Sequence, residues 1–190
     1  MSKLMTALQT RKVLVADGAT GTMLQEAGLE PGTAPERWNL ENPDAILELH
    51  RGYVEAGSDL ILTNTFGGSS VRLKREGLSD QAPAINDAAA RLAREVAGQN
   101  VFVVGDIGPT GEMLAPLGTL TYEDLVPVFA EQAKALAGGG VDGLLIETMS
   151  DLNEMRAAVE GVRRVTDLPL LATMSFDTKG RTMMGVKPAD

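Results

Sequence analysis

The chain has 190 residues, of which 44% are hydrophobic, with a net charge of −9 and no cysteine. This length favours a single domain, and the excess of acids argues against a nucleic acid or an anionic membrane as the partner. Without cysteine there is no disulfide and no thiolate, and the single histidine, His50, cannot build a histidine-based metal site.

No apolar run approaches the roughly 18 residues of a membrane span, and the first residues lack the apolar core of a signal peptide. We therefore expect a soluble, cytoplasmic protein whose ligand is a small molecule.

The first informative stretch is the apolar run 13–16, which ends in Asp17 and a turn containing Gly18 and Gly21. A short β-rich run closed by an acid and a turn is typical of a buried parallel strand that delivers a side chain to one end of a sheet. Asp17 would then lie at the ligand-binding edge of an α/β fold, beside the backbone N–H groups of the turn. The alternative is that Asp17 only caps the turn.

The same pattern of apolar run, polar end and helix follows three more times, and a fifth apolar run is followed by a turn at 177–180. Strands are predicted near 59–62, 101–105, 141–146 and 168–176, and helices at 21–27, 43–56, 82–96, 121–136 and 151–165. His50 lies on or beside the apolar face of the second of these helices, which predicts a packed histidine; the alternative is that it reaches a functional group.

The polar ends are regularly spaced. Asp17, Asn64, Asp106 and Glu147 are separated by 47, 42 and 41 residues. A near-constant period indicates repeated βα units and a parallel sheet, and right-handed crossovers would place these polar ends on one rim. Helix-capping turns alone could also generate the pattern.

Five βα units fit either a doubly wound sheet or part of a (β/α)8 barrel. The G-x-G-x-x-G signature and a P-loop lysine are both missing. Since a barrel usually needs about 250 residues, the barrel interpretation implies that the chain stops early.

Five segments, taken together, resemble the homocysteine S-methyltransferase family and, within it, the homocysteine-binding barrels of cobalamin-dependent methionine synthases. They are DGATGT at 17–22, HRGYVEAGSD at 50–59, LTNTFG at 62–67, GDIGPTG at 105–111 and GLLIET at 143–148. The resemblance extends from about residue 8 to residue 190. It implies an α/β fold of the (β/α)8 TIM-barrel type, with the first five βα units present and residues 1–190 forming one homocysteine-binding domain.

The resemblance also implies a substrate site. Asp17 and Glu147 match the family's acids that bind the amino group of homocysteine, and the backbone around Gly18, Ala19 and Thr20 would receive its carboxylate. Clustered N–H groups at a turn attract anions, which makes the second contact physically sensible. Asn64 and Asp106 line the same rim by position, with a weaker claim to contact.

In the family, zinc bound by three cysteines deprotonates a thiol that has an ordinary pKa near 8.5. This sequence ends before all three cysteines. We therefore expect the amino-acid clamp without catalytic residues or zinc ligands, and an isolated chain with little or no activity. Methylcobalamin, betaine and S-methylmethionine all serve as methyl donors in the family, and the likeness to methionine synthase favours the corrinoid-linked donor.

Three alternatives stay open. Asp17, Asp106, Glu147 and Asp177 could hold Mg²⁺, although the resemblance assigns two of these acids to an ammonium group. The chain could be a non-catalytic partial barrel that binds an amino acid, or that associates with itself or a partner chain through open edges. A lyase or aldolase with a carboxylate base is the weakest alternative, because no Schiff-base lysine stands at a strand end.

Overall fold

A four-stranded parallel sheet forms the centre of the computed structural model, which describes residues 2–11 and 13–190. The strands are β1 (Leu60–Leu62), β2 (Phe102–Ile107), β3 (Gly143–Met149) and β4 (Leu170–Met174). They lie side by side in chain order, and every neighbouring pair is parallel. The predicted α/β class is confirmed, and the carboxyl ends of all four strands share one edge of the sheet.

Eight α-helices surround or precede the strands in the described part of the chain. They are α1 (Lys3–Thr10), α2 (Gly21–Glu26), α3 (Trp38–Glu41), α4 (Pro43–Glu55), α5 (Ser70–Leu73), α6 (Ala82–Ala97), α7 (Tyr122–Gly138) and α8 (Leu152–Arg163). The five predicted helices correspond to α2, α4, α6, α7 and α8. The sequence did not predict α1, α3, α5 or the short 3-10 helices Pro35–Arg37, Lys74–Glu76 and Ser79–Gln81.

The predicted first strand is only partly formed. Residues 13–17 run alongside β1, where the Asp17 N–H donates to the Leu60 carbonyl over 3.1 Å and a single parallel bridge joins Ala16 to Leu60. The prediction that this run is buried is wrong, because the exposed fractions of Val13 and Val15 are 68% and 53%. Among the described residues the segment is hydrogen-bonded only on its β1 side, so the other side lacks the cover of a central strand.

The apolar core lies between the sheet and the helices α6, α7 and α8. Phe129 and Leu136 of α7 are fully buried together with Leu144 and Ile146 of β3. Each such side chain contributes about 1.5–3 kcal/mol by leaving water. A Cβ at Gly161 would lie 2.6 Å from the Val126 carbonyl oxygen, so glycine at this position lets α8 pack directly on the backbone of α7.

Side chains at the helix starts fix two of the crossovers. Thr121 and Asp124 form a capping box at the start of α7. The Asp151 carboxylate accepts hydrogen bonds from the Asn153 and Glu154 N–H groups at the start of α8. No helix in the described ranges is both long and apolar enough to cross a membrane.

His50 is packed inside the protein, which confirms that interpretation. Its exposed fraction is 1%, and neither ring nitrogen has a hydrogen-bond partner among the described residues. Burial lowers the pKa of His50 from 6.5 to about 4 because the apolar surroundings disfavour the charged ring.

His50 should make the fold sensitive to acid. Between pH 6.5 and 4 the unfolded chain binds a proton on His50 that the folded chain does not bind, so the free energy of unfolding falls as the pH drops through this window. We expect His50→Leu to remove roughly 2–3 kcal/mol of this loss, measured by urea unfolding across the window. His50→Gln, which keeps a polar side chain but does not titrate, is the matched control and should flatten the slope equally. A wild-type slope in both variants would contradict the assignment.

Candidate functional site

A cavity of about 710 Å³ lies at the carboxyl edge of the sheet. The turn after residues 13–17, the segment 62–67 that follows β1, and the ends of β2 and β3 all line it. Of the predicted site residues, those on its wall are Asp17, Gly18, Thr20, Asn64, Asp106 and Glu147. Ala19 is not on the wall. The parallel register therefore brings together three carboxyl groups that are far apart in the sequence.

Asp17 reaches towards β1 rather than into its own turn. Its Oδ2 accepts a hydrogen bond of 2.9 Å from the Leu62 N–H, and its Oδ1 is buried without a partner among the described residues. Burial raises the pKa of Asp17 to about 6; the Leu62 N–H opposes this rise and the nearby Glu147 adds to it.

Asp106 is the most deeply buried of the three acids, with an exposed fraction of 4%. Its N–H donates to the Thr63 hydroxyl over 3.0 Å, and its carbonyl accepts a bond of 2.7 Å from the Thr65 hydroxyl, which fixes the backbone. The side-chain Oδ1 has no partner in the described structure. Burial, followed by the charges of Glu147 and Asp17, raises the pKa of Asp106 to about 8.

Glu147 stands at a distortion of β3. The register between β3 and β4 shifts between Ile146 and Met149, and Thr148 has a φ of 60°. A β-branched residue rarely adopts this left-handed conformation, and such strain is concentrated at functional sites. The Thr148 N–H donates to the Thr173 hydroxyl over 3.0 Å, which helps to hold this backbone. Burial raises the pKa of the half-buried Glu147 carboxyl.

The turn that follows Asp17 offers unused donors. Within residues 2–11 and 13–190, the N–H groups of Gly18, Ala19 and Thr20 have no hydrogen-bond acceptor. The Tyr53 hydroxyl donates to the Ala19 carbonyl over 2.8 Å and so ties the turn to α4.

The Asn64 side chain stabilises the cavity wall through hydrogen bonds to a neighbouring loop. Its amide donates to the Pro35 carbonyl over 2.9 Å and to the Asn39 side-chain oxygen over 3.0 Å, while the Asn39 amide donates back to the Asn64 carbonyl. These bonds hold the loop that carries Glu36. The Glu36 carboxylate, 5% exposed, accepts a bond of 2.6 Å from the Gly67 N–H.

Basic residues that the sequence did not single out line the far side of the cavity. The Arg72 guanidinium lies 5.4 Å from the centre of the Phe66 ring and donates to the Pro109 carbonyl over 3.3 Å. Arg75 donates to the Gly111 carbonyl and to the Glu112 carboxylate, each over 2.8 Å. No local sequence signal marks Glu36 or Arg72, because their partners are 31 and 37 residues away.

The model of the family described as homocysteine S-methyltransferase matches residues 14–190. The chain belongs to this family. It is 33% identical over 195 residues to methionine synthase of Mycobacterium tuberculosis and 34% identical over 194 residues to that of Mycobacterium leprae. These alignments cover 93% and 92% of this chain but 16% of each relative, so the chain spans about a sixth of their length.

Solved structures show the same fold. The homocysteine methyltransferase MmuM from Escherichia coli superposes in its metallated form with a TM-score of 0.84 and in its oxidised form with 0.83, each at 22% identity. The superposition covers 97% of this chain and 70% or 69% of the MmuM chain. Both matches support an α/β architecture like that of the homocysteine methyltransferases.

The residues present do not fit the zinc that the family resemblance implies. Zinc activation of a thiol there uses cysteine ligands, and this chain has no cysteine. In the described ranges no three or more His, Asp or Glu side chains are placed to hold a metal ion. The Mg²⁺ alternative for the acids of the cavity therefore gains no support.

The buried Asp106 should weaken the fold at alkaline pH. The folded chain keeps the Asp106 proton up to about pH 8, whereas the unfolded chain loses it near 3.8, so the free energy of unfolding falls as the pH rises through this window. We expect Asp106→Asn to be more stable than the wild type by roughly 1–3 kcal/mol near pH 8 and to show no such gain near pH 4. Urea unfolding at both pH values measures this, with the exposed Glu131→Gln on α7 as control. An equal effect at both pH values would contradict the assignment.

Proposed function

We propose that this chain binds homocysteine for S-methylation to methionine, as the amino-acid-binding part of a homocysteine S-methyltransferase. The observation that carries the proposal is the convergence of Asp17, Asp106 and Glu147 on one cavity. In the described structure none of the three forms an ion pair with lysine, arginine or histidine. Carboxyl groups that are wholly or partly buried and have no ion-pair partner favour a positively charged ligand group.

The α-ammonium group would lie between Asp17 and Glu147. Its three N–H donors suit carboxylate oxygens, and charge-assisted bonds of this kind are about twice as strong as neutral ones. The ligand carboxylate would accept from the unused N–H groups of Gly18, Ala19 and Thr20, as anions do at clustered backbone amides. The amino acid would thus be held by both of its charged ends.

The residues of this chain hold and orient the amino acid. The zinc expected for the family supplies thiol deprotonation, but this chain provides no cysteine for it. Family membership and the match to MmuM support a single homocysteine-binding domain over 1–190 that forms the first part of a TIM barrel. The similarity to methionine synthases favours methylcobalamin over betaine or S-methylmethionine as the methyl donor.

A second candidate function is a non-catalytic partial barrel that pairs with another chain. Its support is an apolar groove of about 520 Å³ between α2 and α4, lined by Met23, Leu24, Leu49 and Tyr53. The exposed segment 13–17 also supports pairing with another chain. Homocysteine binding by the chain alone separates the first candidate from a pure pairing role.

Removing either acid of the clamp should weaken binding. We expect Asp17→Asn and Glu147→Gln each to raise the dissociation constant for L-homocysteine about 10- to 100-fold, because each loses a charge-assisted bond to the ammonium group. Isothermal titration calorimetry measures this, with Glu131→Gln as a control of the same chemistry outside the cavity. 4-Sulfanylbutanoate, which lacks the amino group, should bind the wild type as poorly as homocysteine binds the variants. Unchanged affinity in both variants would refute the clamp.

The chain should not retain zinc. After incubation with excess zinc and removal of the unbound metal by gel filtration, we expect well under one equivalent by metal analysis, because no set of three protein ligands is assembled. Tight binding of one zinc per chain would show that the donor set has been misjudged.

A further inference from the structure

We propose that Asp106 is a third, proton-exchanging member of the ammonium site: it is protonated while the cavity is empty and releases its proton to solvent when a primary ammonium group binds. This inference rests on the proposed binding of the ligand amino group between Asp17 and Glu147. It adds a residue that reports ligand occupancy by its own protonation.

The first support is the placement of Asp106. Its side chain lines the cavity, is 96% removed from solvent and leaves Oδ1 without a hydrogen-bond partner among the described residues. The Asp106 N–H donates to the Thr63 hydroxyl and the Asp106 carbonyl accepts from the Thr65 hydroxyl, so the backbone is held on both sides and the strand cannot easily turn the carboxyl away. With Oδ1 unpaired, the Ile107 N–H is the contact that favours the ionised carboxyl, and burial and the nearby acids outweigh it.

The second support is the charge of the surroundings. The charged groups that raise the pKa of Asp106 are Glu147 of β3, Asp17 of the 13–17 segment and Glu36 of the 3-10 helix Pro35–Arg37. All three are acids. Arg72 and Arg75 line the same cavity but bind the loop 109–111. Burial together with these acids raises the pKa of Asp106 to about 8. An empty cavity at neutral pH therefore favours the neutral acid.

An ammonium group reverses this balance. Its positive charge among three carboxyls favours their ionised forms, so the O–H bond of Asp106 breaks, the proton goes to solvent and the carboxylate accepts a hydrogen bond from the ligand nitrogen. No other bond changes. A primary ammonium group has three N–H donors for three carboxylates, whereas a quaternary ammonium group has none. The site should therefore discriminate strongly against quaternary amines.

The test is calorimetry of the 190-residue chain at about pH 7 in two buffers of different ionisation enthalpy. L-Homocysteine is the first probe, and L-methionine, which has no thiol proton, is the second. We expect about 0.5–1 proton to be released per ligand in the wild type, from a carboxyl that is mostly protonated one pH unit below its pKa. Near pH 9 the release should fall below about 0.2, because Asp106 is already ionised. Asp106→Asn should release below about 0.2 at both pH values, and Glu131→Gln should behave as the wild type.

The outcomes separate the two proposals. If the wild type binds neither amino acid, the proposed function is wrong and the inference falls with it. If the wild type binds without releasing a proton, or if Asp106→Asn releases as much as the wild type, the proposed function stands and the inference is wrong.

A measurement without ligand tests the empty state directly. With ¹³C-labelled aspartate, the side-chain carboxyl resonance that disappears in Asp106→Asn should titrate between about pH 7 and 9, and L-methionine should shift its midpoint below about 6. A midpoint near 4 in the empty chain would overturn the inference whatever the ligand does.

Discussion

Asp17, Asp106 and Glu147 meet in one cavity at the carboxyl edge of the sheet, and none of the three forms an ion pair within residues 2–11 and 13–190. The parallel sheet brings them together because Asp106 and Glu147 lie near the carboxyl ends of β2 and β3, and Asp17 ends the segment that runs alongside β1. Burial raises the pKa of all three carboxyl groups, so their ionisation lowers the free energy of unfolding of the ligand-free protein. A positively charged ligand stabilises the ionised carboxyl groups, and this stabilisation is part of its binding free energy.

A network of buried polar contacts holds the acids in place. The Thr63 and Thr65 hydroxyls bond each other over 2.6 Å and clasp the backbone of Asp106, and the Gln132 amide on α7 donates to the Thr65 carbonyl over 2.9 Å. The Asn64–Asn39 pair and the Glu36–Gly67 bond attach the preceding loop to the same segment. Because the segment 62–67 bonds to β2, to α7 and to the loop at once, it fixes the cavity before any ligand arrives.

The sequence predicts the sheet and its long helices well, because apolar runs and caps are local signals that survive in the folded chain. The spacing of Asp17, Asp106 and Glu147 predicts their common edge for the same reason. The spacing cannot predict that the Asn64 amide donates hydrogen bonds to Asn39 and Pro35, or that Glu36 accepts one from Gly67. These partners are 25 to 31 residues apart in the sequence. The family resemblance named the amino-acid clamp, but the deep burial of Asp106 follows only from the packing of β2 against its neighbours.

The proposed clamp joins the segment at the edge of the sheet to one of its central strands. Asp17 lies on the 13–17 segment, which hydrogen-bonds through Val15 and Asp17 to residues 59–62. The Asp59 side chain also pairs with Arg11 over 2.8 Å. Glu147 lies on β3, between β2 and β4. An ammonium group held by both acids would therefore connect the edge segment to β3 across the cavity. In this proposal, ligand binding and the order of that edge are coupled, because the contacts that hold residues 13–17 against β1 also position Asp17.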